Sequence, residues 1–344
     1  MVCASDGEIL LYRAFTAPVL SLEAAFEAPQ PEKRLMHTDK IKKLFIILLC
    51  YLSPLHTSLT DCSGNSKESC HITILMAKWN IGVIMKRSVW DKFVKLREDY
   101  RNALLDIEKK MPQLKGLQQE LIDERSSGKT GNSLYTVETP IVFNGALDDV
   151  NIDDDIRMIL VGDNPGRREQ AAVNRRYLVG PSGKIAEKFF RDNPSLRIDF
   201  RRNVIILNKT PVHTPRTTEL RELCRLGGLS LEQELSESQR LMARLLFEFH
   251  QALNNAGASA PLKVWITGYS EMRKGGIFEV YTDTLRDLYL KNKSKNLAAN
   301  VLIYRHFSMN QFTIDLRQRS VPGKSLVKNL EDIGTLYRHR ILGF

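Results

Sequence analysis

The residues best suited to chemistry stand at the ends of short apolar runs. Asp163 and Asn164 follow the first run, Asn208 follows the second and His306 follows the fourth. Carboxylate, carboxamide and imidazole groups supply the acid–base and hydrogen-bonding chemistry of many active sites. Each residue alone also has an ordinary explanation, such as capping a turn. If the runs are parallel strands, their carboxyl ends converge on one edge of a sheet, and the four side chains share one site.

The runs that must position these residues are rich in Ile, Val and Leu and occupy residues 156–161, 204–207, 262–267 and 300–304. Helical patterns lie between them, around 185–189, over 235–253 and over 277–290, and another follows at 326–337. Continuous apolar strands that alternate with helices are typical of a parallel sheet covered on both faces. The sequence therefore predicts an α/β fold, a three-layer α/β/α sandwich with a central parallel sheet of about four strands.

A separate helical pattern precedes this domain. It begins at Ser88, with Asp91 three residues later as in a capping box, and it is interrupted at Pro112. Residues 126–133 are polar and read as a linker. We therefore predict a helical segment with its linker over 85–133 and the main domain over 134–344. Residues 1–84 lack sustained periodicity and are predicted to be a poorly structured extension.

An apolar stretch at 44–52 within that extension has two explanations. The assigned start can lie upstream of the true one, with Met76 or Met85 as the real start, and we favour this interpretation. Alternatively, the stretch anchors an envelope-associated protein, although it is shorter than the roughly 20 residues of an ordinary membrane span.

Composition limits the class of protein. The 344-residue chain is 43% hydrophobic and carries a formal net charge of +10, so it can bury one large core and favours a polyanionic partner such as nucleic acid. Ordinary solubility charge explains the same excess equally well. Four of the five cysteines precede residue 71, and no metal-ligand spacing or disulfide framework emerges.

The sequence matches neither of two common nucleotide-binding motifs. A Walker loop ends in Gly-Lys-Ser/Thr and begins with glycine, whereas Lys184 is followed by Ile185. The sequence Gly-Lys-Ser at 323–325 has Gln318 where the first glycine belongs. A dinucleotide fingerprint is absent as well, since Gly162 and Gly166 are separated by three residues.

The remaining motifs have a recognisable order. Residues 162–166 read Gly-Asp-Asn-Pro-Gly, residues 177–183 read Tyr-Leu-Val-Gly-Pro-Ser-Gly, the second run ends in Asn208, and the fourth is followed by His306 and Ser308. Over 156–310, this order and spacing resemble the uracil-DNA glycosylase superfamily. Asn164 stands where the mismatch-type enzymes carry their catalytic asparagine, and Asp163 stands where the thermostable iron-sulfur class carries an acidic residue.

The resemblance implies a role for each matching residue. It implies catalysis by Asp163, Asn164 and His306; base binding by Tyr177, Leu178, Asn208 and Ser308; and DNA contact by Arg167, Arg168, Arg175, Arg176, Lys209, Arg216, Met309 and Asn310. A solvated loop is an equally good explanation for any one of the arginines. Asn208 would read the base, a donor from His306 would stabilise the departing base, and Asn164 would position the attacking water. Asp163 would activate that water or balance positive charge on the sugar.

The sequence also departs from the family pattern. The main domain contains only Cys224, so we expect no iron-sulfur cluster, metal or organic cofactor. Leu178 stands where an aromatic residue stacks on the base, with Tyr177 as a substitute, and Phe307 replaces the proline of the histidine motif.

The leading hypothesis is a cytoplasmic, monomeric DNA glycosylase without membrane association. It would hydrolyse the N-glycosidic bond of uracil or a related deaminated or mismatched base flipped out of single-stranded or duplex DNA. The main alternative is a catalytically silent nucleic-acid or nucleotide-binding module on the same fold, which Leu178 and Phe307 favour. The envelope-associated protein described above is a third interpretation.

Overall fold

A computed structural model describes residues 85–126, 135–254, 261–292 and 295–344. The predictions for 1–84, including the apolar stretch at 44–52 and a start at Met76, lie outside the described residues. So does nearly all of the predicted linker.

The centre of the molecule is a parallel sheet. Its strands are β1 (Met158–Gly162), β2 (Val204–Asn208), β3 (Lys263–Thr267) and β4 (Val301–Tyr304), in the order β2-β1-β3-β4. All three pairings are parallel, and Gly162 lies opposite Asn208 in the register of β1 with β2. Every residue of β1, β2 and β4 is buried, which explains why these strands read as continuous apolar runs. The predicted α/β class and four-stranded parallel sheet are confirmed.

Helices flank the sheet. They are α1 (Arg87–Lys110), α2 (Leu114–Ser126), α3 (Arg167–Gln170), α4 (Pro181–Asp192), α5 (Glu219–Leu253), α6 (Glu279–Lys291), α7 (Lys295–Ala298), α8 (Gln311–Arg319) and α9 (Leu326–Leu342). Helix α5 packs against β2 and α6, and α9 packs against β4. This arrangement is consistent with a three-layer sandwich.

Two local predictions about helices are wrong. Helix α1 begins at Arg87 after an extended Lys86 that makes no side-chain cap, so Ser88 lies inside the helix instead of capping it. The helix predicted over 235–253 begins earlier: Glu219–Leu253 consists of two helical stretches that meet at a kink at Gly228 (φ 66°), and the second stretch starts directly after it.

Helix α1 belongs to the same hydrophobic core as the sheet. It buries Phe93, Tyr100, Leu104 and Ile107 and packs against α5. The ring of Phe93 lies 5.5 Å from that of Phe249 on α5. A single cluster of buried apolar residues extends from Met85 to Leu342.

Across the ranges that the structure describes, we find no helix whose length and apolar character would let it cross a bilayer.

Candidate active site at the carboxyl edge of the sheet

The carboxyl ends of the strands bring three of the predicted residues together. Asn208 ends β2 directly beside Gly162 at the end of β1. The Asp163 carboxylate lies against Gly268, which follows β3: a Cβ atom there would stand 2.1 Å from Oδ1. His306, just after β4, lies close enough to Asp163 for each group to affect the pKa of the other. We call Asp163, Asn208 and His306 the strand-end site.

Asn208 provides an unused hydrogen-bond donor. Its side chain lies over Gly162, where a Cβ atom would stand only 2.5 Å from Oδ1, so a side chain at 162 would displace the amide. Asn208 is 2% exposed, and within the described part of the chain Nδ2 has no hydrogen-bond partner. A buried amide without a partner is costly, so Nδ2 is available to donate to a ligand.

Lys209 is the buried partner of Asp163. Its side chain is fully buried, and its Nζ donates to Oδ1 of Asp163 at 2.6 Å. Nζ also donates to the carbonyl oxygens of Gly162 and Thr267 at the ends of β1 and β3. An ammonium group has three N–H donors and no acceptor. The three acceptors around Nζ therefore fit the charged form of Lys209.

The charge of Lys209 determines the state of Asp163. Burial by itself would raise the pKa of Asp163. The positive charge of Lys209 and its hydrogen bond to Asp163 outweigh burial and hold that pKa below its usual value. Asp163 is therefore an ionised carboxylate paired with a buried cation.

His306 can donate a hydrogen bond from Nε2. Its Nδ1 accepts the backbone N–H of Ser308 at 3.0 Å and lies 2.8 Å from the Ser308 hydroxyl. Burial lowers the pKa of His306, Lys209 lowers it further, and Asp163 opposes both. The imidazole is therefore neutral and carries its proton on Nε2. Ser308, predicted to bind the base, contacts and orients His306.

Asn164 is bonded to the loop that follows β2. Its Nδ2 donates to the hydroxyl of Thr214 at 2.8 Å and to the Thr214 carbonyl at 3.2 Å, and its Oδ1 accepts the hydroxyl of Thr217 at 3.0 Å. Both ends of the amide are thus engaged. Asn164 therefore connects the loop after β1 to the loop after β2, next to the strand-end site.

The ring of Tyr177 is buried and is not available to stack on a base. It is 1% exposed, and its hydroxyl donates to the carbonyl of Val142 at 2.6 Å and lies 2.9 Å from the hydroxyl of Tyr100 on α1. The prediction that it contacts a base is therefore wrong for this conformation. Leu178 does reach the site, since its Cδ2 lies 3.8 Å from the Cβ position of Gly162.

The predicted DNA contacts divide by exposure. The exposed members are Arg167, Arg168, Arg175, Arg176, Arg216, Met309 and Asn310. The guanidinium of Arg167 lies 4.7 Å from the ring centroid of Tyr135, and Arg176 pairs with Asp149 at 2.6 Å. Lys209 is a correction: a fully buried side chain cannot reach a phosphate, and the Asp163 carboxylate is its partner instead.

The segment after β4 has an unusual backbone. Met309 (φ 51°) and Asn310 (φ 58°) both adopt left-handed conformations, and Met309 is 83% exposed. Phe307, in contrast, is buried 4.4 Å from the ring of Phe312. Phe307 therefore anchors the loop in the core while Met309 projects from it.

Sequence reasoning missed the role of Lys209 as the partner of Asp163, and it missed Thr214, Thr217 and Gly268. Asp163 and Lys209 each follow a residue of the Gly162–Asn208 pair, so the strand register alone would have placed them side by side. Thr214, Thr217 and Gly268 carry no comparable signal, because their roles depend on long-range contacts.

Within the described ranges, no group of three or more His, Cys, Asp or Glu side chains is arranged to hold a metal ion. A crevice of about 710 Å³ between α5 and α6 is lined by residues that include Arg221, Cys224 and Gln239. No predicted site residue lines it.

Searches against protein-family models and against curated proteins find no match for the chain.

Proposed function

We propose that the chain is a DNA glycosylase that hydrolyses the N-glycosidic bond of uracil or a related deaminated or mismatched base flipped out of DNA. The observation that carries the proposal is the buried, unpartnered Nδ2 of Asn208 at the same sheet edge as an ionised Asp163 and a neutral His306. The uracil-DNA glycosylase fold, to which the sequence motifs point, belongs to the same proposal.

Base reading rests on Asn208. An amide side chain presents a donor and an acceptor together, which matches O4 and N3–H of uracil. The free Nδ2 supplies the donor. A base that accepts this hydrogen bond removes the cost of the unpaired amide, whereas a base with a donor at that position does not.

Bond cleavage rests on His306 and Asp163. As the bond between C1′ and the base breaks, its electron pair leaves with the base, and the Nε2–H of His306 can stabilise the negative charge on O2. Because the pKa of Asp163 is lowered, Asp163 is a weak proton acceptor. It acts mainly as a fixed negative charge facing the positive sugar. Water then adds to C1′, and its proton is released.

DNA contact would come from the exposed arginines on the loops after β1 and β2. Extrusion of a base costs a few kcal/mol, which phosphate contacts and pocket contacts must offset. The formal net charge of +10 is compatible with this role.

The test is incubation of the purified protein with oligonucleotides that contain uracil in single strands, in U:G pairs or in U:A pairs, or that contain hypoxanthine, followed by alkaline cleavage at abasic sites. We expect cleavage of at least one substrate. His306→Ala should slow it about 10²- to 10³-fold, the usual loss for one such donor. His339→Ala, at an exposed position on α9, is the matched control. Absence of abasic product from every substrate refutes the proposal.

The second candidate is a nucleic-acid or nucleotide-binding module without catalysis. The hydrogen bonds of the Asn164 side chain favour it. Nδ2 and Oδ1 of Asn164 already bond to Thr214 and Thr217, so positioning a water would compete with these bonds. Binding of uracil-containing DNA without any product, unchanged in Asp163→Asn, would select this candidate.

A further inference from the structure

Leu178 is held in a conformation that leucine seldom adopts. Its φ is 52°, and its side chain is buried beside Gly162 and Asn208. The left-handed region is unfavourable for a residue with a Cβ atom. Neighbouring groups must therefore hold this peptide in place.

Glu169 is one of those groups. Its buried carboxylate accepts the backbone N–H of Gly166 at 3.1 Å, and the backbone N–H groups of Leu178 and Gly180 lie close enough to lower its pKa. Gly166 belongs to the turn after β1, and the other two residues belong to the turn before α4. One carboxylate thus joins two turns that border the strand-end site.

Arg201 contacts Leu178 from the other side. Its Nη2 donates to the carbonyl oxygen of Leu178 at 2.9 Å. Its charge also acts on Glu169, and its guanidinium pairs with Glu187 on α4 at 3.1 Å. The C=O of Leu178 is therefore bonded to Arg201, and its N–H lies near the Glu169 carboxylate.

We propose that Glu169 and Arg201 are positioning residues that hold Leu178 as the wall against which a flipped base lies. The inference rests on the proposed function and specifies how the site grips a base that it cannot stack on an aromatic ring. The strained peptide turns the leucine side chain toward Gly162, where the base-reading Asn208 also lies. Without Glu169 or Arg201, the backbone at Leu178 can relax, and the Leu178 side chain then moves away from the base.

The experiment compares two oligonucleotides at pH 8. One carries a single 2′-fluoro-deoxyuridine, whose glycosidic bond resists cleavage, and the other carries thymidine at the same place. The dissociation constant for each is measured for the wild type and for Glu169→Gln, Arg201→Lys and Leu178→Ala. Glu187→Gln is the matched control because it removes the other carboxylate that pairs with Arg201. Hydrogen exchange of 177–183, read by mass spectrometry, reports on the peptide independently of DNA.

We expect faster exchange of 177–183 in Glu169→Gln and Arg201→Lys, and a roughly tenfold loss of uracil preference in both. Binding to the thymidine oligonucleotide should stay the same because phosphate contacts dominate it. Leu178→Ala should lose the same preference, and adding Glu169→Gln to it should cost nothing more. Glu187→Gln should resemble the wild type.

The inference is overturned if exchange is unchanged in both positioning variants. It is also overturned if their uracil preference survives, or if the wild type has none. These outcomes are separate from failure of the proposed function, which shows as absence of abasic product from the wild type on cleavable DNA.

Discussion

Replacing Lys209 with methionine tests the charge balance of the strand-end site. The substitution keeps the aliphatic stem but removes the cation that pairs with Asp163 at 2.6 Å. Removing one partner of a buried ion pair costs about 3–5 kcal/mol, because an uncompensated charge remains. Burial is then unopposed, so the pKa of Asp163 should rise above its usual value instead of lying below it.

The sign of the pH dependence follows from this reversal. In the wild type, the lowered pKa of Asp163 contributes stability that is present above the unfolded-state pKa of about 3.8 and is lost as the pH falls. In Lys209→Met, the ionised carboxylate is destabilising, so the loss of unfolding free energy should be largest at pH 8. It should shrink toward pH 5 as Asp163 becomes protonated.

Urea unfolding at pH 5, 6.5 and 8 measures this effect. Adding Asp163→Asn to Lys209→Met should recover much of the loss at pH 8, since no buried charge remains. Lys188→Met, which breaks an exposed pair with Asp192 on α4, should leave the unfolding free energy nearly unchanged. A loss below about 1 kcal/mol in Lys209→Met, or one that does not vary with pH, would refute the reasoning.

Three further predictions concern neighbouring residues. Gly162→Ala should push Asn208 aside, cost about 1–3 kcal/mol of stability and lower kcat/KM for base excision; unchanged excision would contradict the role of the close approach. Burial raises the pKa of Glu169 to about 7, so the contribution of Glu169 to the unfolding free energy should fall by about 3 kcal/mol as pH rises from about 4.5 through 7; in urea titrations the difference between the wild type and Glu169→Gln should change by that amount over this range. Tyr100→Phe removes a hydrogen bond to Tyr177 and should lower the unfolding free energy by about 0.5–1.5 kcal/mol without changing excision.

The sheet and the convergence of its ends could be predicted from the sequence. Buried parallel strands are apolar on both faces, so each appears as an uninterrupted run. The polar residue after each run then falls at the edge where the strands end. This reasoning placed Asp163, Asn208 and His306 together without any knowledge of the side-chain contacts.

The contacts themselves could not be predicted. Sequence spacing does not show that Lys209 turns inward to a carboxylate while Arg216, a few residues later, stays exposed. The partners of Asn164 lie about 50 residues away at Thr214 and Thr217, and only the folded loops bring them together. The burial of Tyr177 likewise depends on Tyr100, on a helix that precedes the sheet.

The triple contact of Lys209 also has a consequence for the order of folding. Its ammonium joins segments that are 46, 47 and 58 residues apart in the sequence, so loop-closure entropy opposes these bonds in a partly formed chain. Desolvation of the ammonium also opposes them until Asp163 and both carbonyls are in place. We therefore expect the sheet to assemble first and Lys209 to dock late. Lys209→Met should then speed unfolding more than it slows refolding.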